Sequence, residues 1–152
     1  MALEFFSHEN AIHFFHHFNF EGMEPFTMVI FDDGNLYELR WDEVKQHVKK
    51  LDTNSTHLWA SCTLYSQEWQ SKRQDWFSDW QEKNTTPNQN NILDFHKHAG
   101  EGNPRFDVVM NYKDIVRTTS ITSIIKTKQK MDLRYEDMLD GKMKKEELVL
   151  QF

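Results

Sequence analysis

Three histidines, His13, His16 and His17, stand at i, i+3 and i+4 in a stretch whose apolar residues repeat with helical period. On a helix these positions share one face, where two imidazoles come close enough to hold a divalent metal such as zinc. A closed zinc site needs four ligands and a catalytic one about three. No acidic residue or cysteine is tied to this face by local spacing, so the competing reading is a solvated polar surface. The one cysteine, Cys62, stands among Leu58, Trp59 and Leu64. In such apolar surroundings a thiol acts as a small hydrophobe, because burial raises its pKa and suppresses the thiolate. As a nucleophile it needs a nearby base, and His57 and His96 are the candidates. Thr119, Ser120 and Thr122 lack the Gly-x-Ser-x-Gly frame that exposes a nucleophilic serine. The chain also has no Gly-x-Gly-x-x-Gly, no Walker loop and no Cys-x-x-Cys. Trp69, Trp76, Phe77 and Trp80 recur at helical spacing, which describes either a wall for a flat ligand or, more commonly, a core-facing helix. No cofactor is expected.

The elements that carry these residues follow from periodicity and turn signals. Ser7 is placed to cap a helix over residues 8–18, with Ala11, Ile12, Phe14, Phe15 and Phe18 on its core face. The nearly all-apolar run 26–31 predicts a strand covered on both faces. Asp33-Gly34 then makes a hairpin turn into 36–41, where Tyr37, Leu39 and Trp41 point inward. Residues 43–51, where Val44, Val48 and Leu51 also suit a helix, are read as a third strand on their β-branched residues and the preceding hairpin, and 57–64 as a buried strand. Ser66 caps a helix reaching about residue 82, with Glu68 at its positive end and Trp69, Arg73, Trp76, Phe77 and Trp80 along one side. A polar loop over 84–91 precedes a short helix with Ile92, Phe95 and Ala99, closed by Gly100. Residues 106–112 suggest one or two helical turns, and strands are expected over 116–125, 131–135 and 148–150. This order is α+β with mostly antiparallel pairing.

At 152 residues the chain is expected to form one domain. Its 38% hydrophobic and 14% aromatic content excludes a disordered chain. The net charge of −6, from 18 basic and 24 acidic residues with the basic ones scattered, argues against nucleic acid as a partner. The longest apolar run, 28–31, is far too short to cross a bilayer. No secretory signal opens the sequence and a single cysteine suits a reducing compartment, so the cytoplasm is expected.

Four segments taken together resemble the second half of the NRDE family, the family of transport and Golgi organization protein 2. They are Glu24-Pro25-Phe26-Thr27-Met28-Val29 with Leu36-Tyr37-Glu38-Leu39-Arg40-Trp41; His57-Leu58-Trp59-Ala60-Ser61-Cys62-Thr63-Leu64 ahead of a helix with Arg73; Phe95-His96 with Ala99-Gly100; and Val116-Arg117-Thr118-Thr119-Ser120-Ile121-Thr122 with residues 131–137. The resemblance implies half of an N-terminal-nucleophile-type αββα sandwich. Family members begin Met-Cys and carry an Asn-Arg-Asp-Glu run, whereas this chain has Ala2 and no such run. That mechanism needs a nucleophilic side chain and a free α-amine on one residue, and Ala2 brings no thiol. By the same resemblance Ser61 stands where the family has an oxyanion-donating asparagine, and Arg117 matches an arginine of its Arg-Thr-Asn-Thr stretch. The expectation is therefore a domain without its nucleophile half that acts by binding or self-assembly. Bare sheet edges tend to be covered by another copy, so a homo-oligomer is expected. The family's association with haem or lipid makes a small hydrophobic ligand the natural one. Two alternatives are an amide or acyl hydrolase using Cys62 or Ser61 with His57, or a nucleophile from another chain, and a metal-binding module using His13, His16 and His17.

Overall fold

In a computed structural model, which describes residues 3–60 and 66–150, Asn10 and not Ser7 opens the first helix. The Asn10 side chain accepts from the His13 N–H at 2.8 Å and satisfies one of the donors that a helix start leaves free. Helix α1 spans Ala11–His17. Ser7 closes a 3₁₀ turn over Glu4–Ser7, its hydroxyl donating to the Glu4 carbonyl at 2.6 Å. The chain divides into two compact units, Met1–Leu64 and Tyr65–Phe152.

In the first unit α1 packs on an antiparallel sheet ordered β1 (Phe26–Asp32), β2 (Asn35–Trp41), β3 (Gln46–Leu51). Asp33 and Gly34 both have positive φ, 43° and 73°, the turn whose twist matches a two-residue hairpin. Ile30, Leu39 and Trp41 of the sheet meet Ala11, Phe14 and Phe15 of α1 in the core. The Trp41 indole stacks on Phe20 and donates to the Met23 carbonyl at 3.0 Å. Ile12, expected on the core face, is exposed. The expectation that β1 is covered on both faces is also corrected. Ile30 is buried, but its neighbours Val29 and Phe31 are 41% and 53% exposed, as in a sheet with a helix on one side only.

Residues 57–60 are not a strand. The polar run after β3 turns on itself: the Asp52 carboxylate accepts from the Asn54 N–H and the Ser55 hydroxyl. Trp59 then reaches back to donate to Glu38 at 2.7 Å. Such side-chain bonds offer the backbone an alternative to a ladder. The rest of that expected strand, with Ser61 and Cys62, lies outside the described residues.

The second unit contains α2 (Gln67–Lys83), α3 (Gln89–His98), a short ladder of β4 (Asn111–Tyr112) with β5 (Val116–Arg117), and a sheet ordered β6 (Ser120–Lys126), β7 (Lys130–Asp137), β8 (Met143–Val149). Every pairing is antiparallel, so the α+β class holds. Helix α2 buries Arg73 and Phe77 and exposes Asp75, Ser78 and Asp79, as its spacing required. Phe77 and Trp80 pack against Phe95 of α3, with ring centroids 5.5 and 5.4 Å away. Asn88 and Asn91 form a capping box at the start of α3. Leu93, at 3% exposure, takes the core position expected of Ile92, which is 39% exposed. Residues 106–110 are turns and bends and not a helix. The Arg73 guanidinium draws the Phe106 and Asp107 carbonyls to itself, at 2.6 and 3.0 Å, and pins this loop to α2. No helix among the described residues is long and apolar enough to cross a membrane.

Candidate functional site: a groove along a strand edge

Helix α3 and strand β6 border a half-open groove of ≈ 660 Å³ within the second unit. Residues 120–125 of β6 all line it. Successive strand residues point to opposite faces, so a groove that touches all six follows the backbone edge of the strand. Strand β6 is the border of its sheet and, among the described residues, pairs only with β7. Its second row of N–H and C=O groups therefore faces the groove. Ile92, Leu93 and His96 of α3 form the opposite wall.

Two contacts hold α3 at this distance. Gln89 donates to the Ser123 hydroxyl at 3.0 Å. Lys97 of α3 pairs with Glu136 of β7, which also pairs with Arg134 on its own strand. Glu136 is buried, and the Lys97 ammonium, with Arg134 behind it, holds its carboxyl below the usual range. Desolvation lowers the His96 pKa, which favours the neutral imidazole. No Asp, Glu, Lys or Arg lines the groove. It offers aliphatic side chains, hydroxyls and amides, together with a strand's hydrogen-bonding edge.

The histidine face predicted on α1 is present but is not a ligand set. His13 and His8 are joined Nδ1 to Nδ1 at 3.0 Å, with ring centroids 5.2 Å apart. The two nitrogens therefore lie nearly on the line between the rings and meet head-on, and do not converge on a third point. His17 stacks on His13, and its Nδ1 donates to the His13 carbonyl at 2.8 Å. His16 lines a separate hollow of the first unit beside Phe20 and Trp41. Among the described residues no three His, Cys, Asp or Glu side chains are placed to hold a metal. His57 donates from Nε2 to the Asp52 carbonyl at 2.7 Å. Arg117 is an exposed residue of β5. Neither meets a nucleophile among the described residues.

His8 lies five residues before His13, outside the helical register, and Ser120 and Thr122 carry no nucleophile frame, so none of them stands out in the sequence. One signal was there to be read: residues 120–125 carry no charge in a chain that is 28% charged. No family model matches the chain, and no curated protein or solved structure does. What the groove can do is set by its own residues.

Proposed function

We propose that this chain is a binding and assembly module of the NRDE kind, working through the groove between α3 and β6 and not through turnover. The observation that carries this is the exposed, uncharged strand edge facing an apolar helix wall. Apolar clefts with a few fixed polar groups are the common form of a binding site, and a bare strand edge takes extended chains. The hydrophobic ligand that the resemblance implies would lie in the same place.

The dye 1-anilinonaphthalene-8-sulfonate, titrated into dilute protein, reports an apolar groove by its fluorescence. Ile92→Glu sets a charge into the wall, and its desolvation weakens dye binding about tenfold or more. Phe31→Glu, on the exposed face of β1 in the other unit, leaves binding unchanged. Dye binding that follows Phe31 and ignores Ile92 overturns the proposal.

A further inference from the structure

We infer that the occupant of the groove is the β6 strand of a second copy of this chain, added antiparallel about a two-fold axis through Ser123. This rests on the groove being the docking site. It turns two three-stranded sheets into one sheet of six strands.

The two borders of the sheet are built differently. Strand β8 exposes Lys144, Lys145, Glu146 and Glu147 in succession, the charged edge that keeps strands of other molecules away. Strand β6 has no charge before Lys126, no proline and no glycine, and all seven of its residues stay in unbroken register with β7. Its ladder is unbroken and its edge carries no charged guard before Lys126.

Strand β6 is also complementary to itself. A two-fold axis at Ser123 sets Ser123 opposite its own counterpart, Thr122 opposite the partner subunit's Ile124, Ile121 opposite the partner subunit's Ile125, and Ser120 opposite the partner subunit's Lys126. No like charges face each other, and β-branched side chains such as these pack well on a pleated surface. Any other centre leaves the strand ends unpaired. An axis normal to the sheet keeps each face on its own side. The two α3 helices therefore lie on the same side of the joined sheet, the side that carries the half-buried Ile121, Ser123 and Ile125. Isologous contacts of this kind are the commonest route to a dimer. No Asp, Glu, Lys or Arg side chain lines the groove, and the one charged residue of the strand, Lys126, sits at its end and is exposed.

Light scattering on the purified chain, at concentrations up to about 100 µM, measures this directly against the monomer mass of 18.3 kDa. The expected mass is twice that value. Thr122 and Ile124 are exposed, so Thr122→Asp with Ile124→Asp, and separately Thr122→Lys with Ile124→Lys, leave the fold intact by circular dichroism. Each double variant opposes like charges at both Thr122–Ile124 pairs across the axis and raises the dimer Kd about tenfold or more. Mixed in equal amounts the two oppose Asp to Lys, and the dimer returns. A wild-type monomer overturns the inference, and so does a dimer that both variants leave intact. If that monomer still binds the dye and loses it with Ile92→Glu, the groove remains a site for another partner. If dye binding also ignores Ile92, the groove reading falls with it.

Discussion

At φ 156° the Gly100 backbone points the place of a β-carbon at Asp107, 2.3 Å from the carboxyl carbon and Oδ1. That same Oδ1 accepts from the Glu101 N–H at 2.9 Å and holds the turn after α3. Gly100→Ala therefore strains the backbone and forces Asp107 to abandon its bond, at a cost of about 1–3 kcal/mol. Urea unfolding should show the loss, and the same change in an Asp107→Gly background should cost less. Equal costs in both backgrounds would mean that the contact is not the cause. Gly100 was legible in the sequence as a helix stop, but its reason was not, because Asp107 is a partner that only the folded loop supplies. The His8–His13 pair is a similar case. Helical spacing puts His13, His16 and His17 on one face, yet the bond that decides the role of His13 comes from a residue ahead of the helix.

Elements show the same division between local and non-local causes. The β1–β2 hairpin was legible because Asp33-Gly34 dictates its own turn, and α2 because seventeen residues repeat one pattern. Residues 57–60 and 106–110 depart from the strand and helix their patterns suggest because side chains elsewhere, Glu38 and Arg73, hold them in irregular paths. The site itself was half legible: the uncharged strand stood in the sequence, while the helix that makes it one wall of a groove had to be found by folding. Glu136 decides where that helix sits, since it links Lys97 of α3 to Arg134 of β7. Glu136→Gln leaves two cations facing one amide. Removing one member of a buried pair costs several kcal/mol. Both cations here reach solvent, so the expected loss is smaller, about 1–2 kcal/mol by urea unfolding. The variant should also weaken dye binding, because α3 loses its tether to the sheet. Unchanged stability and unchanged dye binding would show that Gln89 and the aromatic packing hold α3 alone.

Among the described residues the shifted carboxyl groups and His96 act in one direction, whereas the raised ammonium groups of Lys72 and Lys130 act only at alkaline pH. Asp42 is held far below the usual carboxylate range by the His47 side chain and by backbone N–H groups, and Asp52 is lowered by the Ser55 hydroxyl and the Asn54 N–H. Asp140 is lowered by Lys142 and Glu136 by Lys97. For each, the unfolded chain binds a proton more readily than the folded one. Their contribution is present above the ordinary values, 3.8 for Asp and 4.5 for Glu, and is lost as pH falls through the lower folded values. His96 titrates higher with the same sign. Its folded pKa lies below the ordinary 6.5, so a penalty absent above 6.5 enters as pH falls through that value and is complete below the folded one. The urea midpoint should therefore fall gently below pH 6.5 and steeply below about pH 4. His96→Gln should flatten the first part and leave the second, and Glu136→Gln should make the second part shallower. A midpoint that rises on acidification, or a first part that persists in His96→Gln, would break the link between the groove wall and stability. The β6 contact has a separate signature, because no charged pair opposes another across it. Its dimer should hold the same affinity from low to high salt, whereas a contact made through the charged β8 edge would weaken as salt rises.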